Sequence, residues 1–350
     1  MEQEIVQGKF YLRKCIIILQ LPQTLSVLLP LCERLIGAGI GCEAILPEEL
    51  PEKMAFQAKE EEPSKGILYL TDDPWVYNTL AAAFAGTASS KDPKEAAPFF
   101  EESCPSVLVY LHPGNQDADF GDARYALEDP EETEPEYLER VYRRCHNLPW
   151  EILTTERCWL RETVEEDVDS FWSMYRDPEI TRYTERLYPT LEAERSYIRE
   201  YRRLVYSFYE FGVWTVLDRQ SGAVVGRAGL SVREGYNLPE LGYVISREWQ
   251  GRGLAKEVCQ GILNYARELL GFERIQVLVH EENVVSLHLC RELGFREQTA
   301  PAAAGKALGE QPDESMGGSP SCLVAMEQNG QRARYVYMVH ECADQTVTPL

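Results

Sequence analysis

The stretch Gln250-Gly251-Arg252-Gly253-Leu254-Ala255-Lys256 most restricts what this chain can become. It lies between a strand-like run, Glu240 to Ile245, and a long amphipathic helical pattern. Glycines feeding a helix start leave the first N–H groups without intrahelical partners and let a ligand approach the main chain. With the helix dipole added, this is a cradle for phosphate. From Leu254 the residues Leu254, Val258, Ile262, Ala266 and Leu269, with Ala255, Cys259, Leu263 and Leu270 beside them, recur at helical spacing and predict one buried face. Gly271 is expected to end that helix, and Arg274 to His280 then alternates as a strand does. Asn283, a short second helix and Leu293-Gly294-Phe295 follow.

The upstream elements are legible in the same way. Thr163 to Glu166 reads as a capping box opening a helix with Val168, Phe171, Trp172 and Tyr175 on one face, ended by Asp177-Pro178. Thr190 is expected to cap a second helix through Ile198, Tyr201, Leu204 and Val205. A strand at Phe211 to Leu217, a turn at Asp218 to Gly222 and a return strand from Ala223 to Val232 make a hairpin before Glu240.

This order of elements resembles the GCN5-related N-acetyltransferase (GNAT) superfamily over residues 151–345. The family's loop motif is Gln or Arg, two residues, Gly, one residue, then Gly or Ala, and Gln250, Gly253 and Ala255 fill its three places. Asn283-Val284-Val285-Ser286 with Leu293-Gly294-Phe295 is similar to the ribosomal-protein N-terminal acetyltransferase branch. The resemblance implies an α/β fold with a mixed, mostly antiparallel central sheet flanked by helices. It also implies direct transfer of acetyl from acetyl-CoA to a primary amine of a small molecule or a protein N-terminus.

Such transfer needs a neutral amine, donors for the oxyanion, and a hydrogen bond or proton for the leaving thiolate. By resemblance, the N–H groups of Gly251, Arg252, Gly253, Leu254, Ala255 and Lys256 bind the pyrophosphate. Val244 and Ile245 pair with pantetheine like an added strand, and Asn283 either contacts the cofactor or caps its helix. Glu240 matches a family position for the general base, ahead of Glu234, Glu281 and Glu282. Many members carry a tyrosine acid seven residues after the asparagine, where this chain has Cys290. Ser286 or water then takes that role, Cys290 is expected to be a packing thiol, and Trp214, Tyr236 and Tyr243 are candidates to line an acceptor tunnel. A protein of the same fold that senses acetyl-CoA without turnover is the alternative.

At 350 residues the chain predicts two domains, 1–150 and 151–350. The net charge is −22, of which 13 basic and 26 acidic residues put −13 in the first 150. That balance argues against nucleic acid and agrees with a protonated amine substrate. Ten scattered cysteines without a Cys-x-x-Cys pair fit reduced thiols in the cytoplasm, and no metal site is expected. The apolar run Cys15 to Leu21 is too short for a membrane span.

Strands at Cys15 to Leu19, Ile67 to Leu70 and Val107 to Leu111 alternate with helices at Leu25 to Ile36 and Pro74 to Phe84, the second closed by Gly86. The first domain is therefore expected to be a small Rossmann-like parallel α/β layer. Thr71-Asp72-Asp73-Pro74 loosely resembles the acid-bearing second half of haloacid-dehalogenase-like phosphatases, which implies a magnesium site. The Asp-x-Asp nucleophile of that family is missing after the first strand, so a degenerate structural or regulatory domain is expected, with Asp72 and Asp73 as helix caps. Glu131 to Arg144 reads as an acidic helix. Residues 299–320 are of low complexity and predict a mobile insertion bordering the acceptor site, a candidate lid. Ser321 to Glu327 and Arg334 to His340 are expected to pair as a hairpin through Asn329-Gly330.

Overall fold

Cys15 to Leu19 is apolar at every position, and a strand buried on both faces is what such a run forms. The computed structural model describes residues 10–20, 24–50, 66–84, 106–301, 322–328 and 331–342, and divides them into two compact units between Trp150 and Glu151. The first holds β1 (Lys14–Ile18), α1 (Leu25–Gly37), β2 (Gly41–Ile45), β3 (Ile67–Thr71), α2 (Pro74–Phe84), β4 (Val107–Tyr110), β5 (Ala126–Leu127) and α3 (Pro135–Cys145). Its sheet has the order β2-β1-β3-β4-β5 with every pairing parallel. Sequence periodicity misses β2, a half-exposed edge strand of mixed polarity, and the two-residue β5. Helix α3 starts four residues later than its acidic run suggests, because Pro135 lacks an N–H and occupies the first turn. Glu139 on α3 is buried and accepts from Tyr11 N–H at 3.0 Å, Leu12 N–H at 2.8 Å and Arg143 Nε at 2.7 Å, tying α3 to the entry of β1. Gly86 lies outside the described residues.

The second unit contains β6 (Glu151–Thr154), β7 (Cys158–Arg161), α4 (Val168–Met174), α5 (Pro178–Thr181), α6 (Leu191–Tyr201), a wider π-turn at Arg202–Tyr206, α7 (Ser207–Tyr209), β8 (Val213–Asp218) and β9 (Val224–Ser231). It continues with β10 (Glu240–Ile245), α8 (Leu254–Glu268), β11 (Arg274–His280), α9 (Val284–Glu292), β12 (Arg296–Glu297), β13 (Leu323–Gln328) and β14 (Gln331–Glu341). The strands form one mixed sheet of order β12-β14-β11-β10-β9-β8-β7-β6, with β13 also on β14. Helix α8 lays Val258, Cys259, Ile262, Leu263 and Ala266 on this sheet, where the indole of Trp214 meets the ring of Tyr265 edge-on at 5.7 Å.

Four local expectations are corrected. The N-terminal box before α4 lies one residue on: Asp167, not Glu166, accepts from Val164 N–H at 3.0 Å. On α4 itself Val168, Phe171 and Met174 are buried while Trp172 is only partly so. Asp177-Pro178 opens α5 instead of closing its predecessor, since Asp177 Oδ1 accepts from Glu179 N–H at 3.0 Å and proline suits a first helical turn. Leu269 is 60% exposed because α8 ends before it could turn inward. Thr190 does cap α6, and β13 does pair with β14, although 329–330 and 302–321 lie outside the described residues.

Asp167 is the polar anchor of this unit. Its carboxylate takes both Arg161 amino groups at 2.7 Å and the Thr215 hydroxyl at 2.7 Å, and it is buried. Removing one member of a buried ion pair strands the other, at a cost of about 3 kcal/mol. Asp167→Ala is expected to lower the thermal midpoint by roughly 6–12 °C in a unit of this size. A midpoint unchanged by differential scanning calorimetry refutes the assignment.

Candidate active site

The central sheet is opened at one place. Among its described pairings only β10–β11 is parallel, and it is registered at a single position, Glu240 opposite Gln276. Beyond it the strands part, β10 staying on β9 and β11 staying on β14. The edge of β10 that would face β11 is therefore left without a strand partner.

Two cavities occupy the opening. One, of about 450 Å³, runs along Val244 and Ile245 to the loop residues Gln250, Gly251 and Gly253. The other, of about 510 Å³, runs between Leu241–Val244 and Val277–His280 toward Glu185, Glu194 and Tyr197. Both are lined by Tyr183, Thr184, Tyr243, Val244, Asn283 and Ser286, so their junction lies there.

The loop is held open by its backbone. Gly253 is the N-cap of α8 at φ +77°, a left-handed conformation that favours glycine, and offers no side-chain cap. The first bond of the helix runs from Glu257 N–H to Gly253 O at 3.2 Å, which leaves the N–H groups of Leu254, Ala255 and Lys256 ahead of it. Gln250 Nε2 donates to Ile245 O at 2.9 Å and fixes the loop to the end of β10.

A brace comes from the β6–β7 turn. Arg157 Nη1 donates to Arg252 O at 2.8 Å, and its N–H and Nε reach Glu257 at 2.8 and 2.7 Å, while Thr155 Oγ1 donates to Glu257 Oε1 at 2.6 Å. Burial opposes ionisation of Glu257, but these hydrogen bonds outweigh it and hold the carboxyl below its ordinary range. Arg157→Ala is expected to weaken acetyl-CoA binding by about tenfold, the lower end of what one lost charge-assisted hydrogen bond to the loop is worth. Equal affinities by calorimetry would show the brace to be irrelevant.

The side chains predicted from sequence separate into three groups. Val244, Ile245, Gly251, Gly253, Leu254, Ala255, Asn283 and Ser286 line the arm that runs to the loop. Glu240 lines the other arm, with both carboxylate oxygens held by Arg233 through Nε and, at 3.0 Å, Nη2. The side chains of Arg252 and Lys256 turn elsewhere: Arg252 donates to Glu248 O at 2.8 Å and stacks on Trp249 at 4.7 Å, and Lys256 Nζ pairs with Glu292 at 3.1 Å. Asn283 is a helix cap, its Oδ1 accepting from Ser286 N–H at 3.1 Å. Glu281 pairs with Arg334, and Glu234 and Glu282 are exposed and line neither arm.

Of the three aromatics, Tyr243 lines both arms. Trp214 is in the core, and Tyr236 stacks on Tyr337 at 5.8 Å, neither facing the cleft. Cys290 borders the arm of Glu240 yet is 2% exposed, and burial pushes its thiol up to about 12, as suits a packing group. Sequence reasoning missed Tyr183, His280 and Arg227. The His280 ring lies 5.0 Å from Tyr183 and 5.4 Å from Tyr335, and its Nδ1 accepts from Glu282 N–H at 3.2 Å. The available signal was its place at the C-terminal end of a parallel strand, where α/β sheets hold ligands.

In the first unit Asp72 is spent on structure. Its carboxylate accepts from Gln20 N–H at 2.7 Å and lies 3.4 Å from His112 Nε2, while Asp73 Oδ1 accepts from Trp75 N–H at 2.7 Å as a cap for α2. Among the described residues no group of three or more His, Cys, Asp or Glu could hold a metal, and no helix is long and apolar enough to cross a membrane.

The cleft thus has two arms, one walled by free main chain and the other by carboxylates, guanidiniums and phenols. Residues 157–296 match the family model of the acetyltransferase (GNAT) domain. Over 170 residues the chain is 28% identical to the uncharacterized N-acetyltransferase p20 of Bacillus licheniformis, spanning 47% of this chain and 94% of that protein. Over 162 residues it is 28% identical to the ribosomal protein uS5-alanine N-acetyltransferase of Escherichia coli, spanning 43% and 81%. The solved spermidine N-acetyltransferase from Vibrio cholerae, in complex with CoA and spermine, aligns with a TM-score of 0.41 at 19% identity over 53% of this chain and 95% of that one. The second unit is a GNAT acetyltransferase domain, and the protein is an acyltransferase. GNAT acetyltransferases use acetyl-CoA.

Proposed function

We propose that this chain transfers acetyl from acetyl-CoA directly to a primary amine, of a small molecule or a protein N-terminus. The observation that carries the reading is the junction of the two arms at the parted strands β10 and β11. The free N–H groups at the start of α8 suit a pyrophosphate, and the unpaired edge of β10 suits the amides of pantetheine. When bound, acetyl-CoA supplies an acetyl group on a thiolate leaving group. Val244 and Ile245 hold the extended arm by main chain, Ser286 offers its hydroxyl at the junction, and Glu240 collects the proton that the amine sheds on attack. The C–N bond forms as the C–S bond breaks, sulfur keeps the electron pair, and the products are an amide and CoA.

Glu185, Glu194 and Glu240 line the acceptor arm together with Arg186, Arg227 and Arg233, so its carboxylates are matched by guanidiniums and it is polar without a net charge. The relatives' names, one for an alanine of a ribosomal protein and one for spermidine, support an amine acceptor. Titration calorimetry with acetyl-CoA, followed by a thiol-release screen over amino acids, polyamines, amino sugars and peptide N-termini, tests this. Binding without thiol release from any class would replace it with an acetyl-CoA sensor. Residues 1–150 are assigned as a separate, non-catalytic domain, given the internal use of Asp72. Magnesium-dependent phosphate release that disappears in Asp72→Asn would overturn that assignment.

A further inference from the structure

The place where a family tyrosine would stand is Cys290, a buried thiol at the edge of the cleft. A phenol nevertheless arrives there from another element. Tyr243 projects from β10, and its hydroxyl donates to Ser286 Oγ on α9 at 3.0 Å, where both residues line both arms. Ser286 is placed independently by Asn283, whose Oδ1 takes the Ser286 N–H. A hydroxyl that accepts one hydrogen bond has its own hydrogen left to donate, and accepting strengthens that donation.

We propose that Tyr243 is the positioning residue that aims the Ser286 hydroxyl at the departing sulfur, so that a Tyr243–Ser286 relay replaces the missing tyrosine. It rests on the assignment of acetyl-CoA to this cleft. No proton leaves Tyr243: the C–S electron pair stays on sulfur, Ser286 O–H donates to that thiolate, and Tyr243 O–H donates to Ser286. Burial keeps the phenol protonated to higher pH than an ordinary tyrosine, so it remains a donor throughout the working range. The titratable groups beside it, Cys259 and Cys290, are buried thiols raised in the same way and therefore neutral.

The test uses CoA itself. In the complex of the full chain with CoA, ionisation of the coenzyme thiol is followed by difference ultraviolet absorbance against pH. Tyr243→Phe, which keeps the ring and deletes the hydroxyl, should raise the pH of half-ionisation by about one unit, a tenfold loss of thiolate stabilisation. Ser286→Ala should do the same or more, and the double variant should be no worse than Ser286→Ala alone, since one residue acts through the other. In turnover the kcat of Tyr243→Phe should fall roughly tenfold while its affinity for CoA stays within about twofold. If CoA binds Tyr243→Phe normally and its thiol ionises as in the wild type, the relay is wrong and the cleft assignment stands. Additive effects in the double variant overturn it equally. Absence of CoA binding to the wild-type chain overturns the cleft assignment and the relay together.

Discussion

Gly253→Val should lose acetyl-CoA affinity by roughly thirtyfold or more. The residue sits at φ +77° at the head of α8, a conformation that costs an L-residue about 2 kcal/mol. A branched side chain escapes that cost by twisting the backbone, which swings the N–H groups of Leu254, Ala255 and Lys256 away from a shared focus. A matched control separates strain from ligand binding. Gly271, at the other end of the same helix, has φ +68° and open space around its missing side chain. Gly271→Val should lower the thermal midpoint while leaving calorimetric affinity intact. Equal loss of affinity in both variants would mean that helix stability, and not loop geometry, sets binding.

Glu240→Gln should lower kcat/KM by about a hundredfold at neutral pH, the ordinary contribution of a placed proton acceptor. The deficit should shrink as pH rises, because an amine already neutral needs no base. Arg233 holds both carboxylate oxygens, and the amide retains one acceptor oxygen for it, so the fold should tolerate the change better than Glu240→Ala. A pH–rate profile parallel to that of the wild type would remove Glu240 from the chemistry and leave it as half of a structural ion pair.

The loop, the strand before it and the helix after it are readable because each carries its own local physics. Alternation bounds Arg274 to His280 at the observed residues, Gly253 bounds the start of α8 although the helix stops at Glu268, short of Gly271, and Thr190 caps α6 as its side-chain chemistry demands. The failures share a cause. Asp177-Pro178 is a boundary by any local rule, but whether it closes one helix or opens another depends on where α4 has already stopped. β2 and β5 exist because a neighbouring strand offers an edge, and composition alone does not mark them.

The site divides along the same line. Backbone contributions, from Val244 to Lys256, follow from a motif in contiguous residues. The pair Tyr243–Ser286 spans 43 positions, and the parting of β10 from β11 belongs to no residue at all. Fidelity of a motif therefore locates the donor side of the cleft. The opposite side, with Tyr183, His280 and Arg227, is assembled from α6, β8, β9, β10, β11, α9, β13 and β14 and is visible only once they are folded.

The Arg157 clamp sets a limit on how small a working catalyst can be cut from this chain. The match to the family model starts at residue 157, yet the hydroxyl of Thr155, just after the strand Glu151–Thr154, holds Glu257 behind the glycine loop. A fragment trimmed to residues 157–296 would keep every motif residue and Arg157, but lose the Thr155 hydroxyl that shares Glu257 with it. The shortest fragment expected to bind acetyl-CoA as the full chain does therefore begins upstream of residue 157, in the few residues that follow Trp150.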